Sequence, residues 1–203
     1  MNTISTMLTT TATFSDDGLK RYLLRKVWDE DKPKLAVIML APSAASGIEL
    51  DTTTQLVLNN AARLGYGQID ILNLFATLND FALKRAEAED IDNINAIVSS
   101  VQEADDVVYA SGVGKAKSKI FQQRQKQVLE ALRPYESKLN CLTDGSGKAR
   151  LQHPLSPAVR VWHLSPLKIS ELIAEPVKAN ADTPTKESKK RGRKPKNEDT
   201  TLP

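Results

Sequence analysis

The stretch Lys34-Leu35-Ala36-Val37-Ile38-Met39-Leu40-Ala41-Pro42-Ser43 decides how this chain folds. Residues 35–40 are apolar without a break, which suits a strand buried on both faces, as in a parallel sheet covered by helices. The run ends at the punctuation Ala41-Pro42-Ser43. A second apolar run, over 69–75, closes on Asn73-Leu74-Phe75. A third covers 106–111. A fourth covers 138–142 and passes through the turn Asp144-Gly145-Ser146-Gly147 to His153-Pro154-Leu155-Ser156-Pro157. Ligands of open α/β sheets bind outside the carboxyl ends of the strands. Three punctuations of this kind therefore predict a pocket at one sheet edge.

Helices fill the intervals. Asp51-Thr52-Thr53-Thr54 caps a helix to Leu64, with Leu56, Val57, Ala61 and Leu64 at helical spacing and Gly65 as its stop. Asp90 or Asp92 caps a second, whose inner face is Ile94, Ile97, Val98 and Val101. A long helix over 115–132 ends near Pro134. Ser165-Pro166 predicts a further helix, with Ser as cap and Pro at the first position. Strands alternating with helices predict an α/β fold: three layers, α/β/α, around a mainly parallel sheet of four to five strands. Thr13-Phe14, the turn Ser15-Asp16-Asp17-Gly18 and residues 20–28 predict a hairpin ahead of it. The expected organisation is a flexible N-terminal arm over 1–13, an α/β domain over 14–173 and a disordered basic tail over 174–203. The tail is rich in Pro, Thr, Lys and Glu and has too little apolar surface to offset its ordering entropy.

Charge is unevenly distributed. Eight of the 28 Lys and Arg and five of the 25 Asp and Glu lie in 174–203, which leaves 20 of each sign in the body. The net charge of +3 therefore resides in the tail, where attraction for an anion is concentrated. The single cysteine, Cys141, excludes an intrachain disulfide, sits in an apolar run as a buried, inert thiol, and points to an intracellular, cytoplasmic location. No run is long enough to span a membrane, and the Thr-rich start lacks the pattern of a secretory signal.

The chemistry-bearing residues admit a structural reading beside a functional one. His153 serves either to fix its loop or to donate into a pocket, with Pro154 making its presentation rigid. Asn73 either bonds loop backbone or reads a ligand edge. Ser43 reads first as a turn cap, since no Gly-x-Ser-x-Gly elbow surrounds it. Asp51 reads as a helix cap that can double as an acid. His163 reads as structural. Gly112-Val113-Gly114-Lys115 lacks Walker spacing but can hold a phosphate at a helix start. No Cys/His spacing suggests a metal, and no cofactor is expected. Lys115, Lys117, Lys119, Arg124 and Lys126 make a basic helix, by default a solvated face and alternatively a DNA-facing one.

Seven matching stretches carry a resemblance: Arg21-Tyr22, the run through Met39-Leu40-Ala41-Pro42-Ser43, Asp51-Thr52-Thr53, Gly65-Tyr66-Gly67, Asn73-Leu74-Phe75, Asp92-Asn93 and His153-Pro154-Leu155. In order and spacing, over about 20–160, they resemble the family called domain of unknown function 1643. Met39 to Ser43, Asn73 and His153-Pro154 also look similar to the pocket motifs of uracil-DNA glycosylase-like enzymes. That second resemblance implies a glycosylase-like fold and assigns roles. His153, Asn73 and Asp51 would be catalytic; Ala41, Pro42, Ser43, Phe75, Pro154 and Ser156 would line the substrate. Ala41 departs from the pattern, because the position before the motif's Pro is Asn in the first family and Asp or Asn in several glycosylases, where it orients or activates water. Arg191-Gly192-Arg193-Lys194-Pro195 resembles an AT-hook, with Lys194 as an insertion. It implies a nucleic-acid contact through Lys189, Lys190, Arg191, Gly192, Arg193, Lys194 and Lys196.

These resemblances lead to one expectation and two rivals. The expectation is a DNA-associated protein that recognises or excises a base, including a modified one, by N-glycosidic hydrolysis. The first rival is a non-enzymatic DNA-binding accessory protein that keeps the fold. The second is an enzyme on a free nucleotide or nucleoside. DNA is the expected partner in the first two cases, and no membrane contact is expected.

Overall fold

The computed structural model describes residues 1–43, 48–78, 90–112 and 118–173. Seven strands form one sheet: β1 (Thr9–Phe14), β2 (Arg21–Val27), β3 (Lys34–Met39), β4 (Gln68–Asn73), β5 (Asp106–Tyr109), β6 (Leu139–Thr143) and β7 (His163–Pro166). Their spatial order is β1-β2-β4-β3-β5-β6-β7. The helices are α1 (Thr52–Arg63), α2 (Ile91–Glu103), α3 (Lys119–Ala131) and the single turn α4 (Ser170–Ile173).

The apolar runs become the inner strands, as their composition requires. β3 is buried at all six positions, and it is flanked by β4 and β5 in parallel register, Val37 opposite Ile71 and Val108. Side chains alternate between two apolar clusters. Leu35, Val37, Met39, Ile69 and Ile71 pack with Val57 and Ala61 of α1. Ala36, Ile38 and Leu72 pack with Ile97 and Val101 of α2 and Phe121, Val128 and Leu129 of α3. The fold is thus α/β, with α1 on one face and α2 and α3 on the other.

The expected sheet of four to five mainly parallel strands is too small and too uniform. The parallel core β4-β3-β5-β6 is real, but antiparallel strands extend it at both ends. On one side the β1–β2 hairpin docks through Leu24 opposite Ile71. Its turn is closed by Gly18 N–H to Ser15 O, 2.8 Å, with Gly18 in the left-handed region. The segment read as an arm over 1–13 thus contributes most of β1. On the other side Ser165-Pro166 ends a strand instead of starting a helix. Ser165 pairs with Cys141 and Pro166 with Asn140. A proline costs no ladder bond at the outer edge of a sheet, and β7 shields the edge that β6 would otherwise expose.

Several of the sequence motifs have structural tasks. Asp51 caps α1 by accepting from Thr54 N–H at 2.7 Å, and Asp90 caps α2 through Asn93 N–H at 3.1 Å. In Gly65-Tyr66-Gly67 the first glycine ends α1 at φ +92°. A Cβ on Gly67 would lie 1.9 Å from Asp29 O, so only glycine permits that approach. Tyr66 Oη donates to Asp106 Oδ2 at 2.8 Å.

One charged network lies under α2. Asp70, fully buried on β4, receives Arg25 Nε at 2.7 Å and Nη2 at 2.8 Å, Lys34 Nζ at 2.9 Å and Ser100 Oγ at 2.5 Å. Glu103 then bridges Arg25 and Lys34 at 3.0 and 2.7 Å. Burial alone would raise the Asp70 carboxyl, but the hydrogen bonds from Arg25, Ser100 and Lys34 outweigh it and hold it below the usual carboxylate range.

Candidate functional site

The carboxyl ends of β3, β4 and β5 are level. Leu74 N–H donates to Met39 O at 2.9 Å, Phe75 N–H to Leu40 O at 3.0 Å and Ala110 N–H to Ile38 O at 2.8 Å. The chain therefore leaves the sheet at one height at Ala41, Leu74 and Ser111. The turn after β6 reaches the same place, since a Cβ on Gly112 would stand 3.2 Å from His153 Cβ. Gly112 has φ +73°, so the absence of a side chain serves both the backbone and the close approach of His153.

Ser43, Asp51, Arg21 and His153 gather around this edge. Ser43 Oγ donates to Asp51 Oδ2, and Thr54 Oγ1 donates to the same oxygen at 3.3 Å. Both Asp51 oxygens are engaged, because Thr54 N–H holds Oδ1. Burial raises the Asp51 carboxyl, but the bonds from Ser43 and Thr54 prevail and hold it below the usual carboxylate range. Buried Arg21, at the start of β2, donates from Nη1 to Ser43 O at 3.3 Å. Burial lowers its guanidinium and the Asp51 charge opposes that shift.

His153 is half-buried. Its Nδ1 accepts from Leu155 N–H at 3.2 Å and its carbonyl accepts from Ser156 N–H at 2.8 Å. Burial pushes the imidazole below its ordinary value, with the Asp51 charge opposing, and so favours the neutral ring. A neutral ring that accepts at Nδ1 carries its proton on Nε2 and can donate there. The loop is well anchored. Pro154 is buried, Ser156 Oγ donates to Gln152 Oε1 at 2.8 Å, and Leu151 adopts a left-handed φ of +57° two residues ahead of His153. Farther along, Asn60 and Arg63 of α1 hold the backbone at Arg160 and Trp162.

Asn73 ends β4 beside Met39. The residue is 1% exposed, yet neither Oδ1 nor Nδ2 has a hydrogen-bond partner among the described residues. An unmatched buried amide costs about 1–3 kcal/mol. Its backbone, in contrast, is held tightly. Asn93 Nδ2 donates to Asn73 O at 3.0 Å and Leu74 O at 3.1 Å, and Arg124 Nε donates to Leu74 O at 2.7 Å.

Ser43 and Asp51 are therefore joined directly, His153 feels the Asp51 charge from the turn that meets Gly112, and Asn73 ends a strand at the same sheet edge. Ala41 is half-buried and Pro42 buried behind Ser43. Phe75 points into the apolar cluster under α2 and α3. Arg124 is fully buried and grips the chain after β4, so it does not belong to a solvated basic face of α3. His163 is exposed on β7 against Gly145. Residues 113–117, which carry the phosphate-loop reading, and the tail with its AT-hook-like segment lie outside the described residues. Sequence reading gave Arg124 only a place on a basic helix face and assigned no role to Arg21 or Asn93. The signal for Arg21 and Asn93 was the presence of Arg21-Tyr22 and Asp92-Asn93 among the matching stretches. Among the described residues no three His, Cys, Asp or Glu are placed to hold a metal ion, and no helix is long and apolar enough to cross a membrane.

The family model described as "Protein of unknown function (DUF1643)" covers residues 21–155, most of the chain. No curated protein and no solved structure matches. The chain belongs to the DUF1643 family.

Proposed function

We propose that this DUF1643 member recognises a nucleobase at the Asn73–His153 edge, works on DNA to which the basic tail tethers it, and hydrolyses the N-glycosidic bond of that base with a glycosylase-like pocket. The observation that carries the reading is the Asn73 amide, buried with both donor and acceptor unmatched. An amide edge on a base offers the complementary acceptor and donor. The base must leave the duplex stack to reach it. During hydrolysis water adds to the anomeric carbon as the carbon–nitrogen bond breaks, the electron pair of that bond passes to the departing base, and the proton that the added water sheds is returned to that base through solvent. His153 Nε2–H supplies a preorganised donor for the oxygen on which that charge gathers. Asp51 keeps Ser43 and the start of α1 in place and favours a polarised His153 ring.

Ala41 supports a second reading. Its methyl group can neither orient nor deprotonate water, so a protein that binds a base without turnover fits the same geometry. Incubation with oligonucleotides carrying varied normal and modified bases, followed by cleavage at abasic sites, separates the two. Abasic sites on any substrate that vanish in His153→Ala support hydrolysis. Base-dependent binding without abasic sites supports the accessory role. Neither binding nor cleavage removes both.

A further inference from the structure

Residues 2–15 contain no Lys, Arg, Asp or Glu in a chain that is 26% charged. Strand β1 lies within this segment at the end of the sheet, with β2 as its only strand neighbour among the described residues. Thr10 and Ala12 turn inward: Thr10 Oγ1 accepts from Lys26 Nζ at 2.9 Å, and Ala12 packs on the α1-side cluster. Thr9, Thr11 and Thr13 are exposed. Apolar side chains precede and end the strand in the open, Ile4 at 86%, Met7 at 81%, and Leu8 and the last strand residue Phe14 above one third. The opposite edge is defended differently, for β7 has only four residues and carries Pro166.

An exposed edge presents a row of backbone donors and acceptors that template another strand, and natural edges are usually blunted with charge, proline or shortness. β1 has six residues, four of them β-branched threonines, and none of these devices except a register irregularity at Thr13/Phe14. In a two-fold antiparallel pair each strand meets its own copy, so any charged residue near the axis meets a like charge, which is unfavourable. A neutral strand escapes that penalty, and the flanking Met7, Leu8 and Phe14 gain cover. We propose that the chain self-associates through antiparallel pairing of β1 with β1 of a second copy, joining two sheets into one.

Sedimentation and light scattering of the full chain should show twice the 22.3 kDa chain mass, with dissociation on dilution. Thr11→Lys/Thr13→Lys should lose the dimer while keeping its circular dichroism spectrum, and mixing it with Thr11→Glu/Thr13→Glu should restore the doubled mass. Amide exchange over Thr9–Phe14 in the unmodified protein should slow as concentration rises, a readout that no variant's folding can spoil. A monomer at every concentration, a dimer that survives the lysine pair, or exchange indifferent to concentration would each overturn the proposal. Base-directed activity is assayed separately, so its absence leaves this test intact.

Discussion

Asn73 sets a polar amide where the fold alone prefers an apolar side chain. Replacing it with Leu removes an unmatched donor and acceptor at similar volume, so folding stability should rise by about 1 kcal/mol while base-directed binding is lost. Denaturant melts beside binding assays check this, and a destabilised Asn73→Leu would make the residue a structural anchor. For His153→Ala we expect the melt to change little and any excision rate to fall about 10²–10³-fold, the usual effect of deleting one electrostatic donor. Gly112→Ala forces a left-handed alanine and sets a Cβ 3.2 Å from that of His153. A loss of about 1–2 kcal/mol is expected, together with shifted His153 imidazole resonances. Unmoved resonances would mean that the two loops are not in contact. Ala41→Asn tests whether the missing water-orienting group alone limits turnover, with gain of excision as the expected result.

At the scale of elements, the Asp70 network joins β2, β3, β4 and α2. Removing one partner of a buried ion pair costs about 3–5 kcal/mol, because the remaining charge is left uncompensated. Arg25 keeps a third of its side chain exposed and can be rehydrated, so Asp70→Ala should fall at the low end of that range. The network also makes stability depend on pH. The folded carboxyl is depressed, so the unfolded chain binds the proton more readily in acid. The contribution is fully present above the unfolded value of about 3.9 and is lost as pH falls below it towards the folded value. Acid melts of the unmodified protein should drop steeply in that window and those of Asp70→Ala much less. Parallel acid curves would show that other carboxylates dominate.

For the whole molecule, the division of labour between body and tail is the point to test. The body over 1–173 has equal numbers of acidic and basic residues, and the surplus lies beyond it. Deleting 175–203 should leave the melt of the α/β body unchanged. It should also weaken DNA binding and flatten its dependence on salt, by about 0.9 in the log–log slope for each phosphate contact removed. Binding that survives with the same slope would move the contact to the body.

The local features were legible in the residues themselves. An uninterrupted apolar run marked β3, a run broken only by Asp70 and Asn73 marked β4, Asp51 marked one helix start and Asp90 or Asp92 another, and Gly65 marked a stop. These properties depend on a few adjacent residues and on the geometry of backbone hydrogen bonds, so the sequence by itself determined them. It also placed Asn73 and His153 after strands. Only the tertiary structure decided that β2 flanks β4, that Ser165-Pro166 closes an edge, and that Arg21 reaches Ser43 while Gly112 receives His153. Those contacts join parts of the chain separated by 22 to 47 residues or lie across a sheet edge. Apolar pattern records only that a side chain is buried, and leaves open which other strand or loop buries it.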